Sequence, residues 1–171
     1  MRVNRRGPLL KEKIKPLPEL RRCLRRERGR GKKVVFTNGC FDLLHFGHAR
    51  YLEEARRYGD VLVVAVNSDA SVRRLKGRGR PVINENDRAG LIASLQSVDY
   101  VLIFREDTPL KVIRGLAPDV LVKGADWEKS GIVGGECVRR GGGRVVTIPL
   151  LKGRSTSKLI RKIAKRSPAR H

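Results

Sequence analysis

Short apolar runs and helix-period stretches alternate along the chain from about residue 33 onward. Residues 33–37 form a β-branched run stopped by Asn38-Gly39. Residues 61–66 are apolar without a break, the pattern of a strand covered on both faces. Runs at 100–104, 120–122 and 145–148 predict three further strands. Between them lie helical patterns. Over 48–58, Tyr51, Leu52, Ala55 and Tyr58 share one face, with Glu53, Glu54, Arg56 and Arg57 elsewhere. Over 85–97, Leu91, Ile92 and Leu95 fall together behind Asn84, a suitable N-cap. Shorter helices are expected over 108–115 and 132–140, and one with a hydroxyl cap over 155–166.

Five strands alternating with helices predict an α/β fold: an open parallel five-stranded sheet with helices on both faces. In such folds ligands bind at the carboxyl ends of the strands. Residues 33–166 are expected to form this domain. Residues 1–32 would be a basic helical appendage, with its helix over 17–28 behind a loose start, and 167–171 a tail.

Composition adds one complication. The 171 residues carry a net charge of +22, which suggests a nucleic-acid partner. The charge is concentrated at the ends. Residues 1–33 hold 14 Lys/Arg against 3 acids, residues 152–171 hold 8 against none, and the 118 between hold 17 against 14. No aromatic-rich strand accompanies it, so nucleic acid is a minor expectation beside an anionic small-molecule substrate. Cys23, Cys40 and Cys137 are odd in number and unpaired in spacing, which suits a reducing cytoplasm. No apolar run is long enough for a membrane span, and none follows the basic start as a secretory signal would require.

The densest chemical signal directly follows the first strand: Asn38-Gly39-Cys40-Phe41-Asp42, then His45-Phe46-Gly47-His48 opening a helix. Two of only three histidines stand three residues apart, so both imidazoles can share one side of the first turn. Gly47 permits close approach to the backbone, and the helix amides favour phosphate. Asn67, Ser68 and Asp69 end the second strand with three polar groups; Asp69 reads equally as a helix cap or a ligand contact. Lys76 and Arg80 flank a glycine-rich loop, where mobile cations close over phosphates or stay solvated. Arg88 sits in the first turn of a helix, where the dipole disfavours a cation. Its partner is then an anionic ligand, or Glu85 or Asp87. Ser155, Thr156 and Ser157 precede a basic helix and suit a second phosphate site; a simple cap would use only one of them.

These residues resemble the H-x-G-H nucleotidyltransferase superfamily, and within it the adenylyltransferases that form ADP-heptose. Beyond 36–42, the matching stretches are 65–69, 75–77 running to 80–82, 106–109, 121–127 and 153–157, and they cover about residues 32–163. The resemblance implies a Rossmann-like nucleotidyltransferase fold. It implies catalytic roles for His45, His48, Lys76 and Arg80. ATP and its phosphates would meet Asn38, Gly39, Cys40, Phe41, Gly47, Lys123, Gly124, Asp126 and Ser155 to Ser157. Substrate would meet Asp42, Asn67, Asp69 and Arg88. Trp127 stacks on a base or packs half-buried. Family members commonly read Ser-Thr-Thr where this chain has Ser155-Thr156-Ser157.

The reaction implied is direct attack of a sugar 1-phosphate on ATP, with Mg²⁺ carried by the triphosphate, no dedicated metal site on the protein, and a homodimer plausible. Related heptose enzymes are often joined to a sugar kinase, so a separate kinase is expected to supply the 1-phosphate here. Glycerol-3-phosphate cytidylyltransferase and FAD synthetase belong to the same superfamily and remain alternatives, as does a basic RNA-binding protein on this scaffold.

Overall fold

The computed structural model describes residues 9–125, 131–151 and 153–166. Along the chain run α1 (Leu10–Lys13), α2 (Leu17–Gly29), β1 (Val34–Gly39), α3 (Phe46–Arg56), β2 (Val61–Asn67), α4 (Asp69–Lys76) and α5 (Glu85–Ser94). They are followed by β3 (Tyr100–Phe104), α6 (Leu110–Leu116), β4 (Val120–Gly124), α7 (Gly135–Arg140), β5 (Arg144–Ile148) and α8 (Thr156–Arg166). The five strands pair in parallel in the order β3-β2-β1-β4-β5.

Side-chain alternation along each strand divides the core between two faces. Val34 and Phe36 of β1 point into one cluster with Val61, Val63 and Ala65 of β2. Leu20 and Leu24 of α2, Val112, Ile113 and Leu116 of α6 and Val138 of α7 cover that side. Val35, Leu62, Val64 and Val66 point the other way, under Leu52 and Ala55 of α3 and Ala89, Ile92 and Ala93 of α5. Every residue of β2 is buried, as its unbroken apolar run predicts.

The chain order reverses between β1 and β4. From β1 the sheet grows outward through β2 to β3, then the chain returns to the other side for β4 and β5. The segments after β1 and β4 therefore part company at the carboxyl edge, where a ligand crevice is expected.

Several expectations need correction, and one helix was not expected at all. The amino-terminal helix is no appendage: Leu20 and Leu24 are fully buried, and Ile14 pairs with Val101 beside β3. Its apolar face is a layer of the core, each leucine contributing about 2 kcal/mol of transfer free energy. Helix α4 was hidden by its charge, since only Ser71 and Val72 of its eight residues are buried. In α5 the buried face is Arg88, Ala89, Ile92 and Ala93, while Leu91 is 40% exposed. That helix stops at Ser94, and Leu95 turns to extended backbone. Two shorter helices also start later than expected, α6 behind Pro109 and α7 behind a left-handed Gly134.

Candidate active site

Beyond β1 the backbone takes an unusual course. Phe41 and Leu43 hold φ of 47° and 48°, in the left-handed region that bulky side chains avoid. Strain of this kind costs of order 1–3 kcal/mol per residue and persists only where neighbours fix the backbone. Here they do. Asp42, between them, is 1% exposed. Its carboxylate accepts the amides of Val82 and Ile83 at 3.0 Å and Arg80 Nε at 2.6 Å. Burial pushes this carboxyl up, but the two amides and the guanidinium outweigh it and hold it below its ordinary value. The Asp42 carbonyl in turn accepts the Thr156 hydroxyl at 2.7 Å, which fastens the start of α8 to this loop.

This loop delivers the two histidines. His45 is the N-cap of α3, its Nδ1 accepting the His48 amide at 3.3 Å. An accepting Nδ1 places the proton of the neutral ring on Nε2, which becomes a donor for a ligand. The rings of His45 and His48 stack with centroids 3.7 Å apart and planes 17° apart, and Phe41 meets His48 edge-on at 5.4 Å. Burial first, and then the neighbouring His45, push His48 down to about 4. Burial and the Arg154 charge lower His45 as well. Both rings are therefore neutral near pH 7, and His48 Nδ1 is buried with no hydrogen-bond partner. The amides of Phe46 and Gly47 also have no partner among the described residues. Gly47 is needed because a Cβ there would come within 3.0 Å of the His45 ring and 3.1 Å of the Arg154 Cβ.

A second cluster lies at the end of β2, and it is closed upon itself. Arg88 is fully buried. It donates to the carbonyls of Ile83 (2.9 Å), Cys40 (2.5 Å) and Asn67 (2.8 Å), and to Asp69 Oδ1 at 2.7 Å. Neither Glu85 nor Asp87 pairs with it. Asn67 is 3% exposed and donates to the Ser71 hydroxyl at 3.0 Å. Asp69 is not the cap of α4: Ser68 is, while the Asp69 amide donates to Glu85 at 2.7 Å. The hydrogen bonds of Asp42, Asn67 and Arg88 thus serve the chain's own loops. Asp69 holds Arg88 and keeps 22% of its side chain exposed.

The other expected residues surround the histidines. Lys76 ends α4 exposed, and its charge reaches Cys40, whose thiol burial pushes up and whose neighbours Lys76, Arg88 and Arg80 pull down. Arg80 is half-buried by its bond to Asp42. Lys123, one residue before the end of β4, is nearly buried and donates to Asn38 Oδ1 at 2.6 Å, bridging β1 and β4 at the point of reversal. Gly39 and Gly124 close β1 and β4. Ser155 caps α8 through the Lys158 amide at 3.3 Å, Thr156 is spent on Asp42, and Ser157 stands exposed. Asp126 and Trp127 lie outside the described residues. Arg154 was not anticipated, although it stands within the matching stretch 153–157; its contact with Gly47 and effect on His45 depend on tertiary structure. Beside Gly47, α3 and the segment after β5 enclose a recess of about 250 Å³ walled by Tyr51, Tyr58, Ile148, Leu150 and Leu151.

No helix among the described residues is long and apolar enough to cross a membrane. Nor do any three His, Cys, Asp or Glu side chains among them converge as a metal site.

Comparison with known proteins places this geometry. The model of the cytidylyltransferase-like family matches residues 36–135, from β1 to the start of α7. The chain is 60% identical over 151 residues to the bifunctional protein HldE of Citrifermentans bemidjiense and 56% identical to that of Geobacter metallireducens. Each match covers 88% of this chain and 31% of the relative, so the chain spans about a third of the length of these relatives. Among solved structures, the lipopolysaccharide core biosynthesis protein from Thermoplasma volcanium is 32% identical with a TM-score of 0.60, over 72% of this chain and all of that one. The chain belongs to the cytidylyltransferase-like family of nucleotidyltransferases.

Proposed function

We propose that the protein transfers AMP from ATP to a sugar 1-phosphate, D-glycero-β-D-manno-heptose 1-phosphate, giving ADP-heptose and pyrophosphate. The observation that carries the chemistry is the stacked, neutral His45–His48 pair at the N-terminus of α3. The choice of acceptor rests on the ordered stretches from 36–42 to 153–157. It draws support from the HldE relatives and from the structural neighbour named for lipopolysaccharide core biosynthesis.

A sugar phosphate oxygen is largely ionised near neutral pH, since a phosphate monoester's second pKa is about 6. No protein base or nucleophile is needed. The acceptor oxygen forms a bond to the α-phosphorus as the α–β phosphoanhydride bond breaks, and pyrophosphate leaves with the electron pair. His45 donates from Nε2 to the charge that grows on the transferring phosphoryl group, and His48 assists from the same side. A neutral ring still carries one N–H, so each imidazole can donate to the phosphoryl oxygens. The free amides of α3 and the side chains of Lys76 and Arg80 hold the triphosphate, and the Ser157 hydroxyl with the backbone amides of Thr156 and Ser157 receives the departing end. The recess beside Gly47 takes the nucleoside. Mg²⁺ would enter as part of the ATP complex, carried mainly by the triphosphate, and would neutralise part of its charge.

The test is pyrophosphate release from ATP or CTP with heptose 1-phosphate, glycerol 3-phosphate or FMN as acceptor, with products identified by mass. ATP with heptose 1-phosphate is expected to be the productive pair. Turnover with a different pair would keep the chemistry and overturn the acceptor. No turnover from folded protein, together with strongly salt-dependent RNA binding, would overturn both.

A further inference from the structure

Among the described residues, helix α8 contributes nothing to the core clusters. None of residues 156–165 is buried, and no other element packs broadly against the helix. Among the described residues, the hydrogen bond that ties it to the rest of the chain runs from Thr156 to the Asp42 carbonyl, beside the Ser155 cap. At the helical repeat, Lys158, Arg161, Lys162 and Lys165 fall along one side, and Leu159, Ile160, Ile163 and Ala164 along the other. Ile160 is half-buried, whereas Leu159 is 36% and Ile163 58% exposed. The connection leading into the helix exposes Leu150 at 49% and Leu151 at 43%. None of the four cations has an ion-pair partner among the described residues, and the helix carries no acid.

Apolar side chains in water beside unpaired cations need a partner that offers both an apolar layer and negative charge. A second copy of this chain supplies the apolar surface but brings another all-cationic helix, in a chain of net charge +22. A nucleic acid supplies the charge but leaves Leu159 and Ile163 wet, and the helix has no aromatic residue on which a base could stack. The interface of an anionic bilayer supplies both: headgroups for the lysines and arginine, and the upper acyl region for leucine and isoleucine. We infer that α8 is an in-plane docking helix for an anionic lipid surface. The inference is independent of which acceptor the enzyme uses. It also places the catalytic loop next to that surface, since the docked helix is bonded to Asp42 through Thr156.

The test uses the full chain and vesicle co-sedimentation at about 0.15 M salt, where exposed charges beyond about 8 Å are screened. Vesicles of phosphatidylethanolamine with phosphatidylglycerol are compared with vesicles of phosphatidylcholine alone. Binding to the anionic vesicles only is expected. The double variant L159Q/I163Q should bind them at least about tenfold more weakly, since two exposed apolar side chains lose their insertion. Its pyrophosphate release without vesicles and its thermal unfolding should stay unchanged. No binding by the wild type, or equal binding to neutral vesicles, would overturn the inference. So would binding that survives the double substitution, which would point to a polyanion site, and so would a wild-type dimer that the substitutions dissociate, which would assign the face to a second copy.

Discussion

Two polar clusters meet at the carboxyl edge of this sheet, and they use their hydrogen-bonding capacity in opposite ways. Around Arg88, Asn67 and Asp42 almost every donor and acceptor is spent inside the protein, and all three side chains are buried. Around His45 and His48 the backbone amides are open, one imidazole nitrogen is unpaired, and Lys76 and Ser157 face solvent. The closed cluster builds the edge and the open one is left for a ligand. The Asp42–Arg80 bond joins them, so the strained loop that presents the histidines is held by the closed side.

The largest expected effect tests the closed side. Arg88→Met removes a buried guanidinium from three carbonyls and a carboxylate, and should cost about 3–5 kcal/mol in urea unfolding. A loss under about 1 kcal/mol with a raised KM for the acceptor would move Arg88 into the open cluster. Next comes His48→Ala, which should lower kcat by about two to three orders of magnitude with little change in unfolding. Turnover within a factor of two would remove His48 from the chemistry.

The third effect is a pH dependence. His48 has a folded value of about 4 against an ordinary 6.5, so the unfolded chain binds its proton more tightly between those values. Stability should therefore be full above about 6.5 and fall as pH drops to about 4, by roughly 3 kcal/mol. His45, also lowered, acts in the same direction. Asp42 is depressed from 3.8, so its contribution is lost only at pH below that value. Thermal unfolding of His48→Gln between pH 7 and 4 should show a flattened acid limb; an unchanged limb would place the proton uptake elsewhere. The smallest effect concerns the join to α8. Thr156→Val removes one hydroxyl from the Asp42 carbonyl and should cost about 1 kcal/mol, read by thermal unfolding. No loss would mean that the loop holds its shape without α8.

Much of the fold was legible because burial on two faces writes a strong local pattern. β2 and its neighbours are such runs, and Leu52 and Ala55 mark the inner face of α3. Helix α4 escaped because seven of its eight residues, all but Val72, are polar or left in solvent, so its period carries little apolar signal. The role of α2 escaped because its arginines dominate the composition while only Leu20 and Leu24 define its buried side. In the site, glycine and histidine spacing marked the open cluster. The closed cluster looked the same in sequence, since a polar residue at a strand end is written alike whether it faces a ligand or a carbonyl from another loop. Arg88 shows the difficulty: its partners are 48, 21, 19 and 5 residues away.

The cleft at Gly47 carries a consequence for how this sequence can diverge. Its two walls, the His45 ring and the Arg154 Cβ, come from segments more than a hundred residues apart. An alanine there would press on both walls at once, on the ring that caps the helix and on the segment that leads to Ser155 and Thr156, and each would have to give by a few tenths of an ångström. Drift at this position is therefore resisted from two sides, whereas an exposed position such as Ala70 of α4 has no assigned role to lose.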